Sequence, residues 1–114
     1  MESVLTTIKK MLGIDEDYEH FDQDIIIHIN TVLMTLNQLG AGPETPVAIT
    51  NKDDTWYSTL GEIKNIEAVK TYIYLKVRIL FDPPTSSFVL ESMNRQADEY
   101  GWRLNIQSES NKEE

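Results

Sequence analysis

Apolar residues recur along this chain at helical spacing. Val4, Leu5, Ile8, Met11 and Leu12 share one stripe, with Ser3 ahead of them as an N-cap and Gly13 behind as a left-handed stop. That pattern predicts a short helix over residues 3–12. Ile25, Ile29, Val32, Leu36 and Leu39 recur at steps of 4, 3, 4 and 3. This seam predicts a helix over residues 22–39, with Asp22 as its N-cap, Asp22 and Asp24 at the positive end of its dipole and Gly40 at its close. A third stripe starts after Gly61 with Ile63, Ile66, Val69, Ile73, Val77 and Leu80, widened by Tyr72, Leu75 and Ile79. Phe81-Asp82-Pro83-Pro84 halts it, because the residue before a proline is pushed out of the helical region. Asp82 or Thr85 then caps a further helix whose inward stripe is Leu90, Met93, Ala97 and Tyr100. Past Gly101, Trp102, Leu104 and Ile106 alternate with Arg103 and Asn105, which predicts an extended exit that still packs.

Between the second and third stripes, Ala41-Gly42-Pro43-Glu44-Thr45-Pro46 cannot be helix interior and opens a long connection. Within it Val47-Ala48-Ile49 reads as a strand-like stub and Trp56–Leu60 as a single helical turn, separated by the turn residues Asn51, Asp53 and Asp54. So long a connection in so small a domain is often functional. Residues 107–114 hold no apolar side chain and read as a mobile polar tail. The expected fold is all-α: a small antiparallel bundle of about four helices with a long central loop and an extended C-terminal tail. One domain spans residues 1–106.

The 114 residues are 40% hydrophobic and include no cysteine, which removes thiolate catalysis, Cys-ligated metals and disulfides from consideration. No apolar run approaches the roughly twenty residues of a membrane span, and the start Met1-Glu2-Ser3 lacks the basic opening of a secretory signal. The expectation is an intracellular protein with no membrane partner. The formal charge of −9 would repel a phosphate backbone, so sequence-specific nucleic-acid binding is not expected. Residues 1–61 carry ten acids and three bases (−7), whereas residues 62–114 carry nine acids and seven bases (−2). The acids gather in Asp15, Glu16, Asp17, Glu19, Asp22 and Asp24, and the bases in Lys64, Lys70, Lys76 and Arg78. These are either two patches that meet or two ordinary solvated faces.

Enzyme chemistry finds no foothold. His20, Asp22, Asp24 and His28 have the ligand types of a metal site, but Asp22 and Asp24 are simpler as helix-start residues and His28 as a partly buried neighbour of the apolar seam. Asp15, Asp17 and Glu19 imitate the start of a calcium loop, yet His20 stands where glycine is needed and Ile26 where the bidentate glutamate is needed. There is no Gly-x-Ser-x-Gly elbow and no phosphate loop. Glu62 and Glu67 are five apart and do not share a helix face as magnesium-holding carboxylates would. The expected protein is not an enzyme and needs no cofactor and no metal.

Leu75 to Pro84, Ser86 to Glu91 and Glu99 to Asn105 together resemble the head-tail connector (adaptor) proteins of long-tailed bacteriophages, most specifically in Phe81-Asp82-Pro83-Pro84 and Trp102-Arg103-Leu104-Asn105. The likeness runs over roughly residues 3–106. The resemblance implies a non-catalytic helical bundle that forms a homo-oligomeric ring beneath the portal protein. Such a ring extends the channel for passing DNA and docks the stopper or tail-completion protein. It places the protein in the virion at the head-tail interface, and in the host cytoplasm during assembly. By the resemblance, contact candidates are Asp82, Pro83, Pro84 and Phe88 at the corner and Trp102 and Arg103 at the exit. Lys70, Lys76 and Arg78 facing Asp22 and Asp24 of a neighbouring copy would supply the heterologous pairing that a ring requires. The alternative is an acidic helical regulatory or adaptor protein that binds a single host protein.

Overall fold

The computed structural model describes residues 2–113, with side chains through Gln107. Five helices follow in order: α1 (Val4–Met11), α2 (Asp22–Leu39), α3 (Trp56–Leu60), α4 (Ile66–Phe81) and α5 (Ser87–Glu113). Among the described residues there is no strand, and one isolated antiparallel bridge joins Ser3 to Thr55. The all-α bundle expected from the apolar stripes is the fold observed.

α4 is the central helix. Antiparallel α2 and α5 both pack against it, and α1 lies across α2 and α4. Ile25, Ile29, Ile73 and Val77 have no exposed surface, and Val32, Leu33, Leu36 and Val69 have almost none. Each such side chain contributes about 1.5–3 kcal/mol through burial. Tyr74 is half-buried, and Leu75 buries with Met93 and Ala97 of α5 in a second cluster. The residues that widen the α4 stripe are therefore largely covered within the chain. Leu80 of the stripe itself is half exposed. The bundle is a slab of 44 × 36 × 18 Å.

Local chemistry sets the ends of the helices, in places not where the sequence suggests. Ser3 caps α1 by accepting from Thr6 N, and Gly13 (φ +81°) and Gly40 (φ +82°) turn the chain out of α1 and α2 as expected. Asp22 is not the N-cap of α2: Phe21 holds that position without a side-chain bond, and the Asp22 carboxylate is instead drawn to a buried lysine. α4 starts only at Ile66, so Ile63 packs on the core from the loop. Neither Asp82 nor Thr85 caps α5; Ser86 does, its hydroxyl oxygen accepting from Val89 N at 3.3 Å and its carbonyl from Leu90 N at 3.0 Å.

The extended exit expected at residues 102–106 is also overturned, because α5 continues through it. Gly101 does not fray the helix. It sits buried where an added Cβ would lie 3.3 Å from the Tyr72 ring, so its missing side chain is what lets α5 close on α4. Leu104 is then buried, and Asn105 Nδ2 donates to Leu39 O at the end of α2 (3.0 Å). Alternation over three residues is too short a window to outweigh such a contact. The mobility expected of the tail concerns, from residue 108 onward, side chains outside the described set.

The long connection is stitched down rather than loose. Asn30 of α2 accepts from Ile49 N (2.8 Å) and donates to Ile49 O (3.0 Å), so Val47-Ala48-Ile49 is fixed without a partner strand. Asn37 Nδ2 donates to Pro43 O and Glu44 O. Trp56–Leu60 is the expected helical turn, opened by a Thr55–Ser58 capping box. Buried Trp56 donates from Nε1 to Thr7 Oγ1 (2.9 Å), and Thr7 passes a bond on to Ser3 O (2.7 Å), locking α3 against α1.

Candidate interaction surfaces

The α1–α2 loop is built around one buried cation. Lys9 is 2% exposed, and its ammonium donates to Glu16 O (3.0 Å) and Tyr18 O (2.7 Å) while lying 2.8 Å from Asp22 Oδ1 as an ion pair. Two ammonium protons go to the loop carbonyls, and Asp22 supplies the counter-charge. The acidic loop is thereby folded back over α1, which brings Tyr18, His20 and Phe21 to the end of the bundle where α4 stops. Phe21 meets Phe81 edge-on at 5.4 Å between centroids, His20 meets Phe21 at 4.8 Å and His28 meets Phe81 at 6.2 Å. Leu12, Ile14, Phe21, Phe81 and Asp82 line a cleft of about 390 Å³ there. Arg78 fixes the adjoining corner, donating from Nε to Asp82 O (2.8 Å) and from Nη1 to the Tyr74 hydroxyl (3.4 Å). Tyr18 is half exposed, and Asp15, Glu16, Asp17 and Glu19 stand exposed around it. The result is an apolar, aromatic end with an acidic rim.

The opposite end has another character. Where α2 ends and α4 begins, the 41–65 connection and the last described turns of α5 enclose an open groove of about 840 Å³, walled by Pro43, Val47, Leu60, Ile63, Leu104 and Val69. Gly42 (φ +87°) takes a backbone shape open to glycine, 3.5 Å from Leu60 at its absent Cβ. Asn65 bonds Gln107 across the mouth. Within the same connection, the Asp54 carboxylate accepts from Thr50 N and Asn51 N, which lowers its pKa below the ordinary 3.8.

The residues singled out in the sequence divide between these surfaces and the fold. Asp82, Pro83, Pro84 and Phe88 lie at the aromatic end or beside it, with Phe88 73% exposed. Trp102 (63% exposed) and Arg103 lie on the outer face of α5, where Arg103 pairs with Glu99 at 2.6 Å. Asp22 is spent on Lys9, while Asp24 is exposed. Lys70 lies 5.5 Å over the Trp56 ring and 3.5 Å from Glu67, so its charge too is engaged within the chain. Lys76 is half-buried and Arg78 serves the corner. His20 and His28 enter aromatic contacts, and no group of three His, Asp or Glu gathers among the described residues.

Sequence reasoning missed Tyr18, His20 and Phe21 as surface-forming residues. Their signal was present as aromatic residues embedded in an otherwise acidic loop, but only the buried Lys9 reveals why they face Phe81. It also missed the outer face of α2, where Ile27 and Met34 are 60% and 58% exposed. Among the described residues no helix is long and apolar enough to cross a membrane. Compared with known families, residues 4–111 match the model of a family described as phage connector protein. Neither the curated proteins nor the solved structures give a match.

Proposed function

The chain belongs to the phage connector protein family, and from that premise we propose that it forms a ring between the portal protein and the stopper or tail-completion protein. As a virion connector of this structural family, the protein works by contact geometry rather than by catalysis. The observation that carries the proposal is the unlikeness of the two ends of one bundle. A connector must hold one protein above it and a different one below. Here an aromatic, acid-rimmed end and an open groove end are joined by helices α2, α4 and α5, which run from one to the other. The charge of −9 suits a channel wall, since an acidic surface offers passing DNA no counterion-release gain and lets it slide.

Co-sedimentation with purified portal rings encoded by the same genome tests this role. Saturable binding at about one copy per portal subunit is expected. Absence of binding to intact portal would remove the connector role and favour an acidic adaptor with a single host partner.

A further inference from the structure

α2 carries no Asp, Glu, Lys or Arg from Ile25 to Leu39, and the uncharged run extends to Pro43. Solvent-facing sides of helices normally carry charge. Here Ile27, Thr31, Met34 and Gln38 recur at steps of 4, 3 and 4 along one exposed side, with Ile27 and Met34 more than half exposed. The threonines make that side still less polar than its composition. Thr31 Oγ1 donates back to Ile27 O (3.0 Å) and Thr35 Oγ1 to Thr31 O (3.3 Å), so both hydroxyl protons are satisfied within the helix. Depletion of charge together with exposed Met and Ile is the composition of an interface centre.

A second unpartnered strip lies on α5. Phe88, Trp102 and Ile106 are 73%, 63% and 40% exposed, and their spacings of 14 and 4 place them on one side of the helix, Phe88 at its start and the pair Trp102–Ile106 further along, with exposed Glu91, Arg95 and Glu99 between them on the same side. α4 packs against both helices, so the two strips face away from the shared core in different directions.

We propose that the α2 strip of one copy docks on the α5 strip of the next, head to tail. This deepens the connector proposal and rests on it only for closure into a ring. Three observations favour a second copy as the occupant. First, two copies of charge −9 repel wherever acids meet, and the α2 strip brings none. Second, the strips are complementary in register. Asn105 of α5 reaches Leu39 of α2, and the two helices run in the same direction, so at equal height Met34 stands beside the level of Trp102. Third, an α2-to-α2 pair would leave the α5 strip uncovered, whereas a heterologous contact covers both once per copy. One helix-on-helix strip falls short of the about 800 Å² per partner of a stable pair, so association of two free copies is weak and gains strength on closure.

Because the chain has no cysteine, introduced thiols report cleanly. Met34→Cys and Trp102→Cys chains are mixed at the highest soluble concentration and treated with a short bis-maleimide, with Tyr57→Cys at the groove end as control. The mixed 34–102 product is expected to exceed the sum of the two like products, and the chain bearing both thiols should give a ladder of oligomers. Met34→Glu, built into a Gln38→Cys chain whose thiol stands two residues from the level of Trp102, should abolish the product that Gln38→Cys alone gives with Trp102→Cys, with the helical signal unchanged. Like-with-like products alone, no product above the Tyr57→Cys control, or an unaffected yield with Met34→Glu would each overturn the proposal. So would protection of the Met34→Cys thiol by portal alone, since that makes portal the occupant. A ladder without portal binding would instead sink the connector role and leave this interface standing.

Discussion

Replacing Lys9 by methionine is the sharpest probe of how the aromatic end is held. Methionine keeps the length and apolar stem of lysine, so the packing of α1 is preserved while three polar contacts disappear. Glu16 O and Tyr18 O lose their donor, and the Asp22 carboxylate, 17% exposed, loses its counter-charge. Removing one partner of a buried ion pair costs about 3–5 kcal/mol. Here the loop carbonyls lie close to solvent and Asp22 is partly wet, which brings the expected loss to about 2–3 kcal/mol. A domain of this size is stable by about 6–17 kcal/mol, so the variant should fold but with a clearly lower urea midpoint. Asp22→Asn should also destabilise, and the double variant should cost less than the sum of the two, with a coupling of at least about 1 kcal/mol. Amide exchange over residues 13–21 should accelerate in Lys9→Met more than exchange in α4. A loss below about 0.5 kcal/mol, or strictly additive single changes, would refute the claim that this cation organises the loop.

Thr7→Val keeps the shape of a residue that is 8% exposed but leaves the buried Trp56 indole N–H without its acceptor; urea unfolding should show a loss of about 1–3 kcal/mol. Gly101→Ala gains about 1 kcal/mol of helix propensity but sets a methyl 3.3 Å from the Tyr72 ring, with Leu39 3.8 Å away. Net destabilisation is expected by the same assay, and a full propensity gain would show that the ring yields. Burial, and secondarily the Asp98 charge, raise the pKa of the Tyr72 phenol above the ordinary 10.0. Its contribution is therefore complete below pH 10.0 and lost as pH rises through the raised value, so Tyr72→Phe should flatten the alkaline fall in stability. Asp54 has the opposite sign: its lowered pKa contributes above 3.8 and is lost as pH falls through the folded value, so Asp54→Asn should flatten the acid limb.

What could be read from the sequence was whatever short-range periodicity controls. The seam Ile25–Leu39 set the limits of α2, Gly13 and Gly40 turned the chain out of α1 and α2, and Phe81-Asp82-Pro83-Pro84 stopped α4 where expected. Failures occurred where a distant partner outbid a local preference. Asp22 is an excellent cap by type, but a buried ammonium 2.8 Å away claims its carboxylate. Gly101 looks like a helix end until the Tyr72 ring beneath it is seen. Charge counting also does not show that Lys70 and Asp22 touch Trp56 and Lys9 of their own chain. The corner Asp82 to Phe88 was legible as a turn through its prolines. The cleft beside it was not, because half its wall comes from Leu12, Ile14 and Phe21, some 60 residues earlier in the chain.

The spending of these charges inside the fold changes what the partner at the aromatic end must offer. With Asp22 neutralised by Lys9 and Asp82 paired with Arg78 at 4.0 Å, the acids left exposed there are Asp15, Glu16, Asp17 and Glu19 from the loop, and Asp24 beside it. The bases nearest them, Lys9 and Arg78, are occupied, one buried and the other holding the Asp82 carbonyl. A protein seated on this end therefore meets an aromatic cleft ringed by uncompensated negative charge. Its matching surface has to insert an apolar side chain between Phe21 and Phe81 while placing Lys or Arg around that anchor, since like charge at the rim would cost several kcal/mol. Salt should slow association at this end by screening the rim and leave the anchored complex's dissociation nearly unchanged. The groove end, walled by Pro43, Val47, Leu60 and Ile63, depends on apolar contact and should be far less sensitive to salt. On the connector role proposed above, binding kinetics of the portal and of the stopper at low and high ionic strength assign each to its end. Equal salt dependence for both would break the link between the two surfaces and the two partners.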